Sequence, residues 1–489
     1  MAGPASSADV WIATDPSSQP DAATQTTIRR HVMRNKNTRE QQQVARIRDL
    51  MLQYENHWQQ QQATRAIGWH PADEKDWIPK LPRQVATELA AFDFGVELRP
   101  YMVDLIFKGR PQTDILSLKL PGAFAVIKPM TYTVEKTLVG EAQHQQQDNL
   151  FCFSNLARHP AMTHAIIHTS QTFFDVSSGI DERSGIASYH LGEALRHLQL
   201  ALGDGGDVAH ANSTMAVVVA LATAAAVLGD IDGVGVHLNG LQQMVNARGG
   251  LDSLGQGSMI EHKAQRLDFV LSLATGAPTR FFRPVTWGPH IALDGATQCP
   301  ELKTLQPRPD ERLMNIWADL REFSRVANQA TRSGTKMSTG FFCRLADTVP
   351  WRLTALRFDP ASVSEMLRLC MLAYTRSMLT QIPGVGRHLS YLHQTLKPAL
   401  IAHARRAMAM GPEAARFLLW AVFVAAMTVF QDFDRDWVRE LAIVSAGNSG
   451  VVDWGAARAV FGGFLWTDLV HHREGEQLFN QWLGKGAAS

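Results

Sequence analysis

Two stretches limit what this chain can fold into: Met215–Leu228, MAVVVALATAAAVL, and Phe417–Phe430, FLLWAVFVAAMTVF. Each is about 14 residues long, short of the roughly 20 that span a bilayer. The first is also rich in alanine, which is only weakly apolar. Both are apolar around the whole helix circumference, so neither fits a half-exposed surface position. They predict two buried core helices and no membrane span.

The rest of the chain supplies neighbours for them. From about residue 150 the apolar residues recur at helical spacing, and almost no sustained period-2 alternation appears. The pattern predicts helices over Ser154–Val176, Ser188–Leu202, Val208–Leu228, Asp232–Ala247, Ser258–Ala274 and Arg308–Ala330. It continues with Ser362–Thr380, Leu392–Met410, Pro412–Gln431, Asp434–Val444 and Trp454–Val470. Short loops between many of them imply antiparallel neighbours. Val285–Pro309, with its prolines and glycines, is a longer connection that divides two helical halves. The expected fold class is therefore all-α, a large bundle of packed antiparallel helix hairpins.

Ahead of the bundle the composition changes. Residues 1–27, rich in Ala, Ser, Pro, Asp and Thr, read as a disordered leader. Residues 28–48 carry Arg29, Arg30, Arg34, Lys36, Arg39, Arg46 and Arg48 against a single Glu40. This basic arm runs into an amphipathic helix, with Val44, Ile47, Met51, Tyr54 and Trp58 on one stripe. That stripe reads as a face docked on the protein's own core, with a short dimer seam as the alternative. Arm and helix together occupy 28–65, and 66–150 is a mixed lead-in. Within the lead-in, Phe124–Val134 reads as extended chain before a helix, or as a strand. The helical domain takes 151–485.

Charge and cysteines narrow the function classes. The 489 residues have a formal net charge of +1, so no global field points to nucleic acid and any contact must be local. The arm could contact phosphates, serve as a nuclear import signal, or pair with acids on the body. It has no base-reading geometry of its own. The four cysteines, Cys152, Cys299, Cys343 and Cys370, form no C-x-x-C pair. No zinc finger can be read from them. The low cysteine count and the lack of a signal-like start suggest an intracellular protein.

The most informative stretch is His237–Gly255, HLNGLQQMVNARGGLDSLG. Val234, Leu238, Leu241 and Val245 form a core stripe one turn apart. Gly229 should stop the preceding helix, and Asp230 or Asp232 should cap the next. Arg248 lies at the carboxyl end of that helix, where a cation is favoured. Gly249 or Gly250 is expected to be left-handed, with Leu251 folding back.

The same phrase resembles a signature of the fungal-specific transcription factor domain, a large helical region usually C-terminal to a zinc-cluster DNA-binding motif. His237, Gly240, Leu241, Met244, Val245, Arg248, Gly249, Gly250 and Leu251 carry the resemblance. Thr26–Arg34, TTIRRHVMR, is similar to an N-terminal element of members that lack the cluster. Arg416–Ala426 and Phe464–Trp482 resemble the family's late Trp-bearing helix and closing segment. The resemblance implies a nuclear transcriptional regulator or co-regulator that contacts other regulators or itself. It also implies weak or indirect DNA contact and a small-molecule effector bound between helices. The family's six-cysteine cluster has no counterpart, since the first cysteine is Cys152. Genuine absence is expected over a missing upstream exon. A non-nuclear helical scaffold and an enzyme of unrecognised class are the alternatives.

No catalytic, cofactor or metal residues are assigned. His164 and His168 share a helix face at i, i+4, but the glutamate of H-E-x-x-H is missing and the sequence offers no third ligand. His471–Glu474, HHRE, reads as charge complementation near a helix end. GDGGD (Gly203–Asp207) and GDIDGVG (Gly229–Gly235) read as interhelical turns rather than phosphate loops. No G-x-S-x-G is present.

Overall fold

In the computed structural model, the described residues are 159–484, with short breaks at 181–182, 204–210, 256, 293–299, 304 and 381–387. Val96, Met102 and Leu105 are described as well. The chain separates into two units, Met1–Pro79 and Lys80–Ser489, and every described residue lies in the second. The leader, the basic arm with its amphipathic helix, and nearly all of the lead-in lie outside the described residues. Of the lead-in, Met102 and Leu105 are buried helical positions.

Thirteen α-helices and no β-strand occur among the described residues, so the fold is all-α. The first half is built around α3 (Asn212–Leu228), which is the first apolar run and is buried from Thr214 to Val227. It packs against α1 (Pro160–Ser177), α4 (Ile231–Ala247) and α5 (Met259–Thr275), and touches α2 (Gly185–Gly203). Each fully buried valine or leucine on α3 contributes about 1.5–3 kcal/mol. The α3–α4 hairpin closes in two residues. Gly229 takes φ +74, and Asp230 caps α4 by accepting the Gly233 N–H at 2.9 Å.

The second half is built around α10 (Pro412–Thr428), the other apolar run. It packs against α8 (Val363–Leu379), α9 (Ser390–Met410) and α11 (Arg435–Ser449), with α12 (Trp454–Gly462) and α13 (Asp468–Leu483) at its edges. Trp420 on α10 meets Trp317 of α6 (Glu311–Ser333) edge to face at 5.3 Å. Its indole N–H donates to the Leu465 carbonyl at 2.7 Å. The late Trp-bearing helix is thereby tied to the closing segment. Contacts of α5 with α9 and with α7 (Thr339–Ala355) join the two halves.

The structure corrects the expected elements in two places. Helix α7 went unread because Pro350 sits inside it. Proline removes one backbone bond and normally ends a helix, yet Leu345, Val349 and Leu353 are fully buried on both sides of it. The expected helix Trp454–Val470 is broken at Gly462–Gly463, and α13 starts at Asp468. Between them Phe464, Leu465 and Trp466 turn into the core. His471 is therefore in the first turn of α13, at an amino end rather than at the carboxyl end of a helix. Its Nδ1 accepts the Thr467 N–H at 3.0 Å and its Nε2 meets Ser377 Oγ at 2.8 Å.

No helix among the described residues is long and apolar enough to cross a membrane.

Candidate functional site

The signature stretch forms the end of α4 and the turn that follows. Val234, Leu238, Leu241, Met244 and Val245 face the core. Gly249 N–H bonds the Asn246 carbonyl at 3.1 Å, and Gly250 N–H bonds the Val245 carbonyl at 2.9 Å. This crossed pair is a Schellman motif, which satisfies carbonyls that the helix end leaves open. Gly249 has φ +112 and Gly250 φ +93, values that a side chain resists. Nothing lies within 4 Å of where either Cβ would be, so backbone conformation rather than space calls for glycine at both positions.

Arg248 reaches sideways to Asn212 Oδ1 at the start of α3, joining the far ends of the hairpin. A short 3-10 turn, Leu251–Leu254, follows. Leu254 is the buried residue of that turn, while Leu251 is only half-buried. Arg283 clamps the turn from outside, donating to the Leu251 carbonyl at 3.0 Å and pairing with Asp252 and Glu261. His237 is half-buried on α4, and burial lowers its pKa. Gly240 lies on the same helix with open space around it. The arrangement fixes a hairpin end, and its polar groups are spent on that. Arg29, Arg30, Arg34, Lys36 and Arg39 lie outside the described residues.

A cleft of about 380 Å³ opens among α8, α10, α11 and α13. Arg376 on α8, Phe430 and Phe433 after α10, Arg435 on α11 and Trp482 on α13 line it. Its size falls in the range of small-molecule sites. Burial pushes the Arg376 guanidinium down to about 10, partly offset by Glu474, so it stays cationic at neutral pH. Beside the cleft, Asp434 accepts from His393 Nε2 at 2.7 Å, Lys397 Nζ at 2.8 Å and Trp437 Nε1 at 3.0 Å. Burial alone would raise that carboxyl. The bonds from Lys397, Trp437 and His393 outweigh it and hold the group well below the usual carboxylate range.

The structure sends the His164 and His168 side chains to different partners. His168 Nδ1 meets the Ala187 carbonyl at 2.7 Å. His164 Nδ1 meets His190 Nδ1 of α2 at 2.7 Å. Burial lowers both histidines to about 4, so both are neutral at pH 7. Sequence reasoning did not single out His190, Glu193 and His197, although their spacing of three and four residues puts them on one face of α2.

No curated protein and no solved structure matches the chain. Residues 139–275 match the family model described as the fungal specific transcription factor domain. The match takes in the signature stretch and ends at Thr275, the last residue of α5. Arg416–Ala426 and Phe464–Trp482 lie beyond it. On this match the segment that holds α1 to α5 is similar to a fungal specific transcription factor domain.

Proposed function

We propose that this chain is a nuclear regulator or co-regulator that works through its helical body, without a zinc-cluster module of its own. The family match over 139–275 carries the reading. The reading gives the body contacts with other proteins, and the cleft beside Arg376 has the size for a small-molecule effector. The reading assigns no catalytic chemistry. It gives Arg29, Arg30, Arg34, Lys36 and Arg39 the task of nuclear import or phosphate contact. DNA contact is then weak or borrowed from a partner, which is another regulator or a second copy of this chain.

The test is chromatin occupancy of a tagged copy expressed from its own locus. Discrete promoter peaks, lost when Arg29, Arg30 and Arg34 are replaced by alanine, are the expected result. A cytosolic wild type with no peaks above an untagged control overturns the reading in favour of a non-nuclear scaffold.

A further inference from the structure

Helices α1 and α2 bring together three groups that a divalent metal ion would take as ligands. His164 comes from α1, and Glu193 and His197 come from α2 at i, i+4. One donor atom from each lies within 4.8 Å of the others. No other such trio occurs among the described residues. We propose that His164, Glu193 and His197 form a zinc site that staples α1 to α2.

Three features of the geometry support it. First, a cation already sits at two of the three ligands. The Arg196 guanidinium donates from one nitrogen to Glu193 Oε2 at 2.7 Å and to His197 Nε2 at 2.7 Å. Since an N–H donates to it, His197 Nε2 carries a lone pair aimed at positive charge, as a metal ligand must. Second, His164 has an orienting partner. Its Nδ1 is engaged by His190 Nδ1 at 2.7 Å, and His190 is fully buried. That leaves Nε2 of His164 as the ligand atom, its ring fixed by an outer hydrogen bond in the way metal-bound histidines usually are. The ring stacks on His197 with centroids 5.8 Å apart. Third, the closure required is small. Zinc–nitrogen bonds of about 2.0–2.1 Å place tetrahedral donors roughly 3.3 Å apart. Glu193 and His197 are half-exposed and Arg196 is exposed, so these side chains can move inward while Arg196 swings out.

Two imidazoles and a carboxylate, with the fourth position open to water, form a donor set that suits zinc. The bound ion replaces Arg196 rather than joining it, and this makes the proposal testable by a variant that strengthens binding. A built-in comparison exists at His472 and Glu476 on α13. They are also at i, i+4, 3.9 Å apart, but belong to no trio.

The experiment titrates Zn²⁺ into the untagged, chelator-stripped full chain by calorimetry, with each variant's melting temperature recorded without zinc to establish folding. One zinc should bind per chain. His197→Ala, at a half-exposed position, should weaken binding by more than about tenfold with the metal-free melt unchanged. Arg196→Ala should bind more tightly than wild type, because the competing cation is gone. His472→Ala should bind like wild type. No zinc uptake by the wild type overturns the proposal. So does equal weakening by His197→Ala and His472→Ala, or a weaker Arg196→Ala.

Discussion

Asp319 on α6 is fully buried, and its carboxylate gathers a loop onto the bundle. It accepts the backbone N–H groups of His290, Ile291 and Ala292 at 2.7–3.0 Å, and Arg352 of α7 at 2.6 Å. Arg352 is fully buried too and also donates to the Gly288 carbonyl. Asp319→Ala leaves that guanidinium without its counter-charge, at an expected cost on the order of 3–5 kcal/mol. Asp319→Ala combined with Arg352→Met should cost less than the single change, because the stranded charge is gone. Urea unfolding of both variants checks this, and a double variant weaker than the single rejects the account. Gly250→Val is expected to cost about 1–2 kcal/mol, the strain of a side chain at φ +93. An unchanged unfolding midpoint would remove the capping account of the signature. The two sites differ in how far sequence reveals them. Arg248-Gly249-Gly250 is local, with every backbone bond inside five residues, so a helix end can be read from the string. Asp319 and Arg352 are 33 residues apart, and an acid on one amphipathic helix looks the same in sequence whether it is solvated or buried.

Among the elements, α3 and α10 were the most legible, because a segment apolar on all sides has few places to go. Helix α3 also shows why alanine is so frequent in it. Ala216, Ala222, Ala224 and Ala226 are fully buried with α1, α4 and α5 packed close around them. Small residues let neighbouring backbones approach, and enlarging one overpacks the core. Ala222→Leu is expected to cost about 1–3 kcal/mol although it raises hydrophobicity. Thermal denaturation followed by circular dichroism checks the sign, and a higher melting temperature would mean that α3 has room to spare. Caps were legible for the same local reason as the signature. Ser258 and Ser362 each stand three residues before a glutamate, and each accepts that glutamate's N–H. What local rules missed were elements that tertiary packing holds against them. Helix α7 continues past Pro350, and α12 and α13 are parted by a loop whose Phe464 and Trp466 are as apolar as any helix face.

Across the whole molecule, neutral histidines are buried in both halves, and this gives the fold a pH dependence whose sign can be worked out. Burial lowers His168 and His403 to about 4 and His471 to about 3. In the unfolded chain each titrates near 6.5, about two or more units higher. Between about pH 6.5 and 4 the unfolded state therefore binds protons that the folded state refuses, and stability falls as pH falls. Above about 6.5 these three groups add no slope. Asp434 acts lower down. Its folded pKa is depressed, so its contribution is complete above its unfolded value of about 3.9 and is lost only below that. Asp347 opposes the histidines. Burial raises it to about 6, so it takes up a proton on folding in the same window. Burial raises Asp268 and Glu474 in the same direction, while His164 is a fourth buried histidine lowered to about 4, so the expected sign is that of the four histidines. His471 should contribute most, since protonating its Nδ1 would also break the bond from Thr467 N–H at the start of α13. The melting temperature should therefore drop between about pH 7 and pH 5, and His471→Gln should flatten that drop. A wild-type melting temperature that holds or rises on acidification would show that the carboxylates outweigh the buried histidines.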